Sequence, residues 1–226
     1  MLNAPTSPFA DPLGTNRVLV FARAPVPGQV KTRLIPALGA DGAAALHRRL
    51  TEAQLERLCA DPIGPIELWT TPDTEHPFFA DQARRWPIER YLQLGDDLGA
   101  RMQHAAAQGL TRADAVILVG TDCPGLDVDY VGAAAERLCS DDAVLGPAED
   151  GGYVLLGLRR AEPLLFTGIP WGTADVAALT RQRLTKLGWR WSELGALADV
   201  DRPEDLSQLA AMARPATRAR RPGRWA

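Results

Sequence analysis

Short apolar runs alternate along this chain with longer stretches in which apolar residues recur every three or four positions. Arg17 to Ala22 (RVLVFA), Pro65 to Thr71 (PIELWTT), Ile88 to Leu94, Ala115 to Val119 (AVILV), Ala143 to Gly146, Tyr153 to Gly157 and Gly188 to Trp191 read as strands. Ala43, Leu46, Leu50 and Ala53 fall at helical spacing, with Asp41 placed to cap that helix. Further helices are predicted over Pro77 to Arg85, Asp97 to Gln108 with Gly109 closing it, Val128 to Cys139, Asp175 to Leu187 and Pro203 to Met212. Apolar strands alternating with amphipathic helices predict an α/β fold with a mostly parallel central sheet covered by helices on both faces. In such a sheet the loops at the carboxyl ends of the strands build the ligand site, and that rule says where chemistry is to be sought.

The chain has 226 residues, 46 % of them apolar and 23 % charged, which fits one globular domain. Residues 17–213 are predicted to form that domain. Residues 1–16 read as a flexible leader and 214–226 as a disordered tail rich in arginine. The formal charge is −3, but Arg214, Arg218, Arg220, Arg221 and Arg224 all fall in the tail. Setting those five aside leaves 20 basic against 28 acidic residues, so the body carries −8 and repels nucleic-acid phosphates. Cys59, Cys123 and Cys139 form no CxxC, and His47, His76 and His104 are widely separated, so neither a zinc cluster nor a disulfide framework is predicted. No apolar h-region opens the chain and no run is long enough to span a bilayer, so a cytoplasmic protein is expected.

Five segments carry candidate chemistry. Arg23 to Arg33 (RAPVPGQVKTR) follows the first strand. Pro25 and Pro27 stiffen it, Gly28 permits close backbone approach, and Lys31 and Arg33 end it. Fixed cations beside backbone N–H groups suit a diphosphate clamp, with Ala22, Arg23, Pro25 and Gly28 shaping it; the competing reading is a rigid turn with solvated cations. Gly120-Thr121-Asp122-Cys123-Pro124 follows AVILV. There Thr121 is placed for phosphate contact, and the hard oxygen of Asp122 suits Mg²⁺ or Mn²⁺, unless it merely holds the turn. Pro147 to Tyr153 (PAEDGGY) offers Glu149 or Asp150 as a base, with Gly151 and Gly152 leaving room for a ligand; Asp-Gly is equally a hairpin signal. In Asp199-Val200-Asp201 alternate carboxylates point the same way and suit one cation, while Asp201 with Glu204 also resembles a capping box. In Ile169 to Thr173 (IPWGT), Trp171 with Gly172 and Thr173 reads either as an acceptor or base pocket or as an apolar anchor.

The order FARAPVPGQVKTRL, GTDCPGL, GPAEDGGYVLLG, IPWGT and DVDRPEDL resembles a bacterial family of the nucleotide-diphospho-sugar transferase superfamily. Members of that family are labelled glycosyltransferases, some associated with arsenosugar biosynthesis. The resemblance spans roughly Arg17 to Ala210 and implies a GT-A fold, a Rossmann-like three-layer α/β/α sandwich. It implies that Asp122 takes the metal-binding acidic position, that Asp199 or Asp201 completes it, and that Lys31 and Arg33 face phosphate. Two departures stand out: the first loop lacks the glycine-rich run of sugar nucleotidyltransferases, and position 120 is Gly, so GTDCPGL is no literal Asp-x-Asp. The function expected is metal-dependent transfer of a sugar from a nucleotide-activated donor to a small acceptor. The alternatives are nucleotidyl transfer with release of pyrophosphate, and a non-catalytic nucleotide-binding module. Oligomeric state is not legible in the sequence.

Overall fold

The computed structural model describes residues 15–207 and 209. The predicted tail, most of the predicted leader and the end of the predicted last helix lie outside the described residues. Seven strands form one sheet: β1 (Asn16–Arg23), β2 (Ile66–Thr71), β3 (Glu89–Leu92), β4 (Ala115–Val119), β5 (Ala143–Pro147), β6 (Tyr153–Leu158) and β7 (Trp191–Glu193), in the order β3-β2-β1-β4-β6-β5-β7. All neighbours run parallel except β6, which is antiparallel to both β4 and β5. The helices are α1 (Ile35–Ala60), α2 (Pro77–Arg85), α3 (Leu98–Leu110), α4 (Val128–Leu138) and α5 (Val176–Lys186).

The central strands are apolar on both faces because helices cover both. Val18 and Val20 of β1 and Ile117 and Val119 of β4 pack with Leu55 of α1, Phe79 of α2 and Val131 of α4. The alternate residues Leu19, Val116 and Leu118 pack with Met102 of α3 and Ala177 of α5. This period-two division between two cores gives the three-layer α/β/α sandwich expected from the sequence. A smaller core joins Leu34, Leu46 and Leu50 to Val200 and ties the late acidic segment to the start of α1. No helix among the described residues is long and apolar enough to cross a membrane.

Several predicted boundaries shift for local reasons. Asp41 does not cap a helix: α1 begins at Ile35 and kinks at Gly39, whose φ of 70° breaks the helical path. Gly109 lies inside α3, where a Cβ would come within 2.6 Å of Val116; it is there for close packing, not as a helix stop. The last strand is Trp191–Glu193, because Gly188, at φ 66°, belongs to the turn before it. The predicted capping by Asp201 and Glu204 moves one residue on. Asp205 accepts from the backbone N–H of Asp201 and of Arg202, ahead of a 3-10 turn at Pro203–Asp205.

Candidate active site

The carboxyl ends of β1, β2 and β4 open into a polar cleft of about 610 Å³. Ala22, Arg23, Thr121, Asp122, Asp150, Gly152 and Asp199 line it, so residues from four of the five predicted segments meet there. Sheet topology explains the meeting. β1 and β4 are adjacent and parallel, so the loops that leave them emerge side by side. Loop pairing brings in the rest: the Val200 N–H donates to Asp122 O (2.9 Å), and the Glu149 N–H donates to Leu197 O (3.1 Å).

Asp122 is held from inside the protein. The Lys31 ammonium, with a side chain only 2 % exposed, lies 2.9 Å from Asp122 Oδ1 and donates to Val200 O at 2.6 Å. His47 Nδ1 lies 3.6 Å from the same oxygen, while its Nε2 is 3.0 Å from Arg23 O. Oδ1 is buried and lacks an aligned hydrogen bond, so its tie to Lys31 is mainly one of charge. Burial alone would raise the Asp122 pKa. The Lys31 charge, helped by His47, outweighs it and holds the carboxyl at about 2. The side chain as a whole is nonetheless 45 % exposed and faces the cleft.

This arrangement changes the role of the first loop. Lys31 and Arg33 do not line the cleft. Arg33 pairs with Asp201 at 2.7 Å, and Lys31 stands 3.6 Å from that same aspartate. The expectation of two free cations facing a diphosphate therefore gives way to ion pairing, buried for Lys31 and exposed for Arg33. Pro25 and Gly28 also lie off the cleft wall, and within the loop the Val26 N–H donates to Ala24 O and the Gln29 N–H to Val26 O. Lys31 takes a left-handed backbone conformation (φ 48°), which costs a non-glycine residue about 1–2 kcal/mol and is offset here by its buried contacts. The cations that do line the cleft are Arg23 and Arg101. Arg101 sits in the first turns of α3, just beyond the end of β3. The sequence reading passed over it, although the strand-end rule points there.

Of the two adjacent carboxylates, Asp150 lines the cleft and Glu149 does not. Asp150 lies in the β5–β6 hairpin, where its Oδ1 accepts from the Gly152 N–H at 2.8 Å, so the turn and the site coexist. Gly151 plays a packing role: a Cβ there would fall 2.2 Å from Ala174 O. Asp199 is the carboxylate whose compensation, by Lys31 and a backbone N–H, is outweighed. Burial, and then the charge of Asp150, push its pKa up. Cys123 is buried and its thiol is pushed up by burial, which leaves little thiolate for nucleophilic chemistry.

A cation fits this donor set in one way. Asp122 and Asp199 share the cleft, whereas Asp201 lies off its wall and pairs with Arg33 at 2.7 Å. Among the described residues no group of three His, Cys, Asp or Glu converges as a ligand set. Such a site suits Mg²⁺ or Mn²⁺, which take few protein carboxylates and fill the remaining positions with phosphate and water oxygens. The raised pKa of Asp199 marks where positive charge is lacking. In metal-free protein, Asp199→Asn is expected to raise the melting temperature at pH 7. The native state binds the proton of Asp199 more tightly than the unfolded chain does, so the wild type loses stability as pH rises above the ordinary aspartate range near pH 4. The advantage of the variant should fade toward pH 4; a variant less stable than wild type at pH 7 would show that Asp199 already has a partner.

Beside the polar cleft is a second, apolar compartment of about 200 Å³. Trp171, Gly172 and Thr173 line it, together with Phe21, Met102 and Tyr153. Phe21, Leu98, Gly120, Asp150, Gly152, Tyr153 and Val154 line both spaces and form their broad junction.

A mostly parallel sheet with acidic loops at its carboxyl edge, here completed by the reversed β6, defines the nucleotide-diphospho-sugar transferase fold of GT-A type. A crystal structure from Desulfovibrio desulfuricans G20, of a protein provisionally assigned as a nucleotide-diphospho-sugar transferase, superposes with a TM-score of 0.80 at 32 % identity over 89 % of each chain. The chain belongs to the family described as uncharacterized proteins conserved in bacteria (DUF2064), which matches residues 54–173. Two more distant structures share the fold. CMP:2-keto-3-deoxy-manno-octonic acid synthetase in complex with CTP superposes at TM-score 0.56 and 12 % identity, over 89 % of this chain and 100 % of that one. Glucosyl-3-phosphoglycerate synthase from Mycobacterium tuberculosis, in complex with Mn²⁺, UDP and glucosyl-3-phosphoglycerate, superposes at 0.51 and 14 %, over 89 % and 76 %. No curated protein matches the chain.

Proposed function

We propose that this protein is a divalent-cation-dependent glycosyltransferase that moves a sugar from a nucleotide-diphospho-sugar to a small acceptor. The carrying observation is that Asp122, Asp150 and Asp199, from three separate loops, line one cleft beside Arg23 and Arg101. The relatives support a transferase of this superfamily. In this reading Asp122 and Asp199 hold Mg²⁺ or Mn²⁺, which when bound neutralises charge on the donor diphosphate. Arg23 and Arg101 bind the phosphates, and Thr121 closes the wall beside them. Lys31 acts through Asp122: it fixes one carboxylate oxygen and leaves the rest of the group facing the cleft. Asp150 takes the proton of the acceptor hydroxyl as its oxygen attacks the anomeric carbon. The bond from that carbon to the diphosphate oxygen breaks, and the nucleoside diphosphate leaves with the bonding pair.

The test is to incubate the protein with a panel of nucleotide-diphospho-sugars and Mn²⁺ and to measure what is released. Nucleoside diphosphate is expected, with release suppressed by chelation. Pyrophosphate from a nucleoside triphosphate would replace this reading with nucleotidyl transfer, and nucleotide binding without any turnover would leave a binding module.

A further inference from the structure

The two compartments differ in charge as well as polarity. Arg23 and Arg101 line the polar cleft, among the carboxylates of Asp96, Asp97, Asp122, Asp150 and Asp199. The apolar compartment has no basic side chain on its wall, and Asp150 is its one charged residue. Cationic side chains for an anionic donor are therefore found in the polar cleft only. A molecule in the apolar compartment gives up water to meet Phe21, Met102, Leu118, Val154, Trp171 and Val176, and it meets a carboxylate at the junction.

The polar groups here are few and uncharged apart from Asp150, and one of them, the Trp171 Nε1–H, is buried without a hydrogen-bond partner. The Tyr153 hydroxyl, kept protonated by burial, donates only to Met102 Sδ at 3.8 Å. Thr173 Oγ1 is turned away to Pro170 O at 2.9 Å. The indole of Trp171 stands edge-on to Tyr153, and Gly99 seats it closely: a Cβ at Gly99 would fall 2.5 Å from Trp171 Nε1. Leu98 lines the compartment and is 44 % exposed, so its rim is apolar too.

We propose that this compartment takes the body of the acceptor, and that the acceptor is an uncharged alcohol or phenol carrying one ring or a short branched chain. The proposal rests on the glycosyl-transfer reading above. Size sets the upper limit: an apolar cavity of about 150 Å³ accommodates benzene, so a space of this order holds a single ring. Charge sets the class, since Asp150 repels a phosphate or carboxylate on the acceptor and accepts a hydrogen bond from its hydroxyl.

Gly120 makes the proposal testable. It lies at the junction, and a Cβ added there meets nothing within 4 Å. Gly120→Val should therefore fold and yet fill the space where the acceptor hydroxyl reaches the donor. The experiment uses full-length protein labelled at its methionine methyls, of which there are three in the chain, so the Met102 signal is readily assigned. Benzyl alcohol, benzoate and glycerol are titrated separately, and nucleoside diphosphate release with Mn²⁺ is measured on the same samples. Benzyl alcohol is expected to shift the Met102 methyl, and Gly120→Val to weaken it about ten-fold or more through overpacking. Benzoate, with the same ring and a charge, should bind at least about ten-fold more weakly, because carboxylates repel at close range. That comparison needs no variant. Benzoate or glycerol binding as well as benzyl alcohol, or an unmoved Met102 methyl, would overturn the acceptor class. Nucleoside diphosphate release alongside that result would leave glycosyl transfer standing, so the two failures are distinguishable.

Discussion

Asp122→Asn should reduce cation-supported turnover on the order of 10²–10³-fold, the loss found when one preorganised electrostatic group at a reacting centre is removed. The amide keeps the carboxylate's shape but not the charge that a hard cation needs. Folding should survive, since Lys31 keeps its 2.6 Å hydrogen bond to Val200 O and its proximity to Asp201. The measurement is nucleoside diphosphate release across a Mn²⁺ titration, with a melting curve for each sample. Near wild-type release at saturating Mn²⁺ would remove Asp122 from the proposed centre, whatever the melting curve shows.

Lys31→Met is the second large effect, and it falls on stability as well as on activity. Methionine keeps the apolar stem and removes the charge. The variant loses a charged hydrogen bond to Val200 O and leaves Asp122 Oδ1 buried with only His47 nearby. Breaking a fully buried ion pair costs about 3–5 kcal/mol, and a discount is due because the Asp122 side chain is 45 % exposed, so the expected loss is about 2–3 kcal/mol. For a domain of this size that lowers Tm by roughly 5–10 °C. The pH dependence carries the signature of the pair. The folded-state pKa of Asp122 is depressed, so its stabilising contribution is complete above the ordinary aspartate value and is lost as pH falls through about 2. The gap between wild type and Lys31→Met should therefore be widest near neutral pH and should narrow below about pH 4. An unchanged Tm at pH 7 would mean that Lys31 is a solvated side chain, as the turn reading of the sequence had it.

Lys31 shows where sequence reading stops. A Lys and an Arg after a Pro-Gly loop look alike in one dimension, and both suit phosphate. Their pairing depends on residues far along the chain: Val200 O and Asp201 sit where Val200 packs against Leu34 and Leu46, and that packing is tertiary. Arg101 and His47 were missed for the related reason that each looks like an ordinary helix residue until the strand ends gather around it. The pair Glu149 and Asp150 was undecidable in sequence because a hairpin rotates adjacent side chains to different surroundings. Only the register of β5 on β6, with the Glu149 N–H bound to Leu197 O, turns Asp150 toward the cleft.

By itself the sequence determined the architecture. Runs such as AVILV bury apolar residues on both faces, and that pattern is stable only inside a sheet covered on both sides. It also determined that the acidic loops after β4 and between β5 and β6 belong to one edge, because parallel strands send their carboxyl-end loops the same way. The tertiary structure alone decided which charges are spent on one another. Ion pairing needs close approach, and the partners of Asp122 and Asp201 lie 75 to 168 positions away in the chain, so no local pattern records them. It therefore fell to the fold to pair Lys31 and Arg33 with aspartates, to leave Asp199 with a raised pKa, and to set an apolar chamber beside a polar, carboxylate-rich cleft.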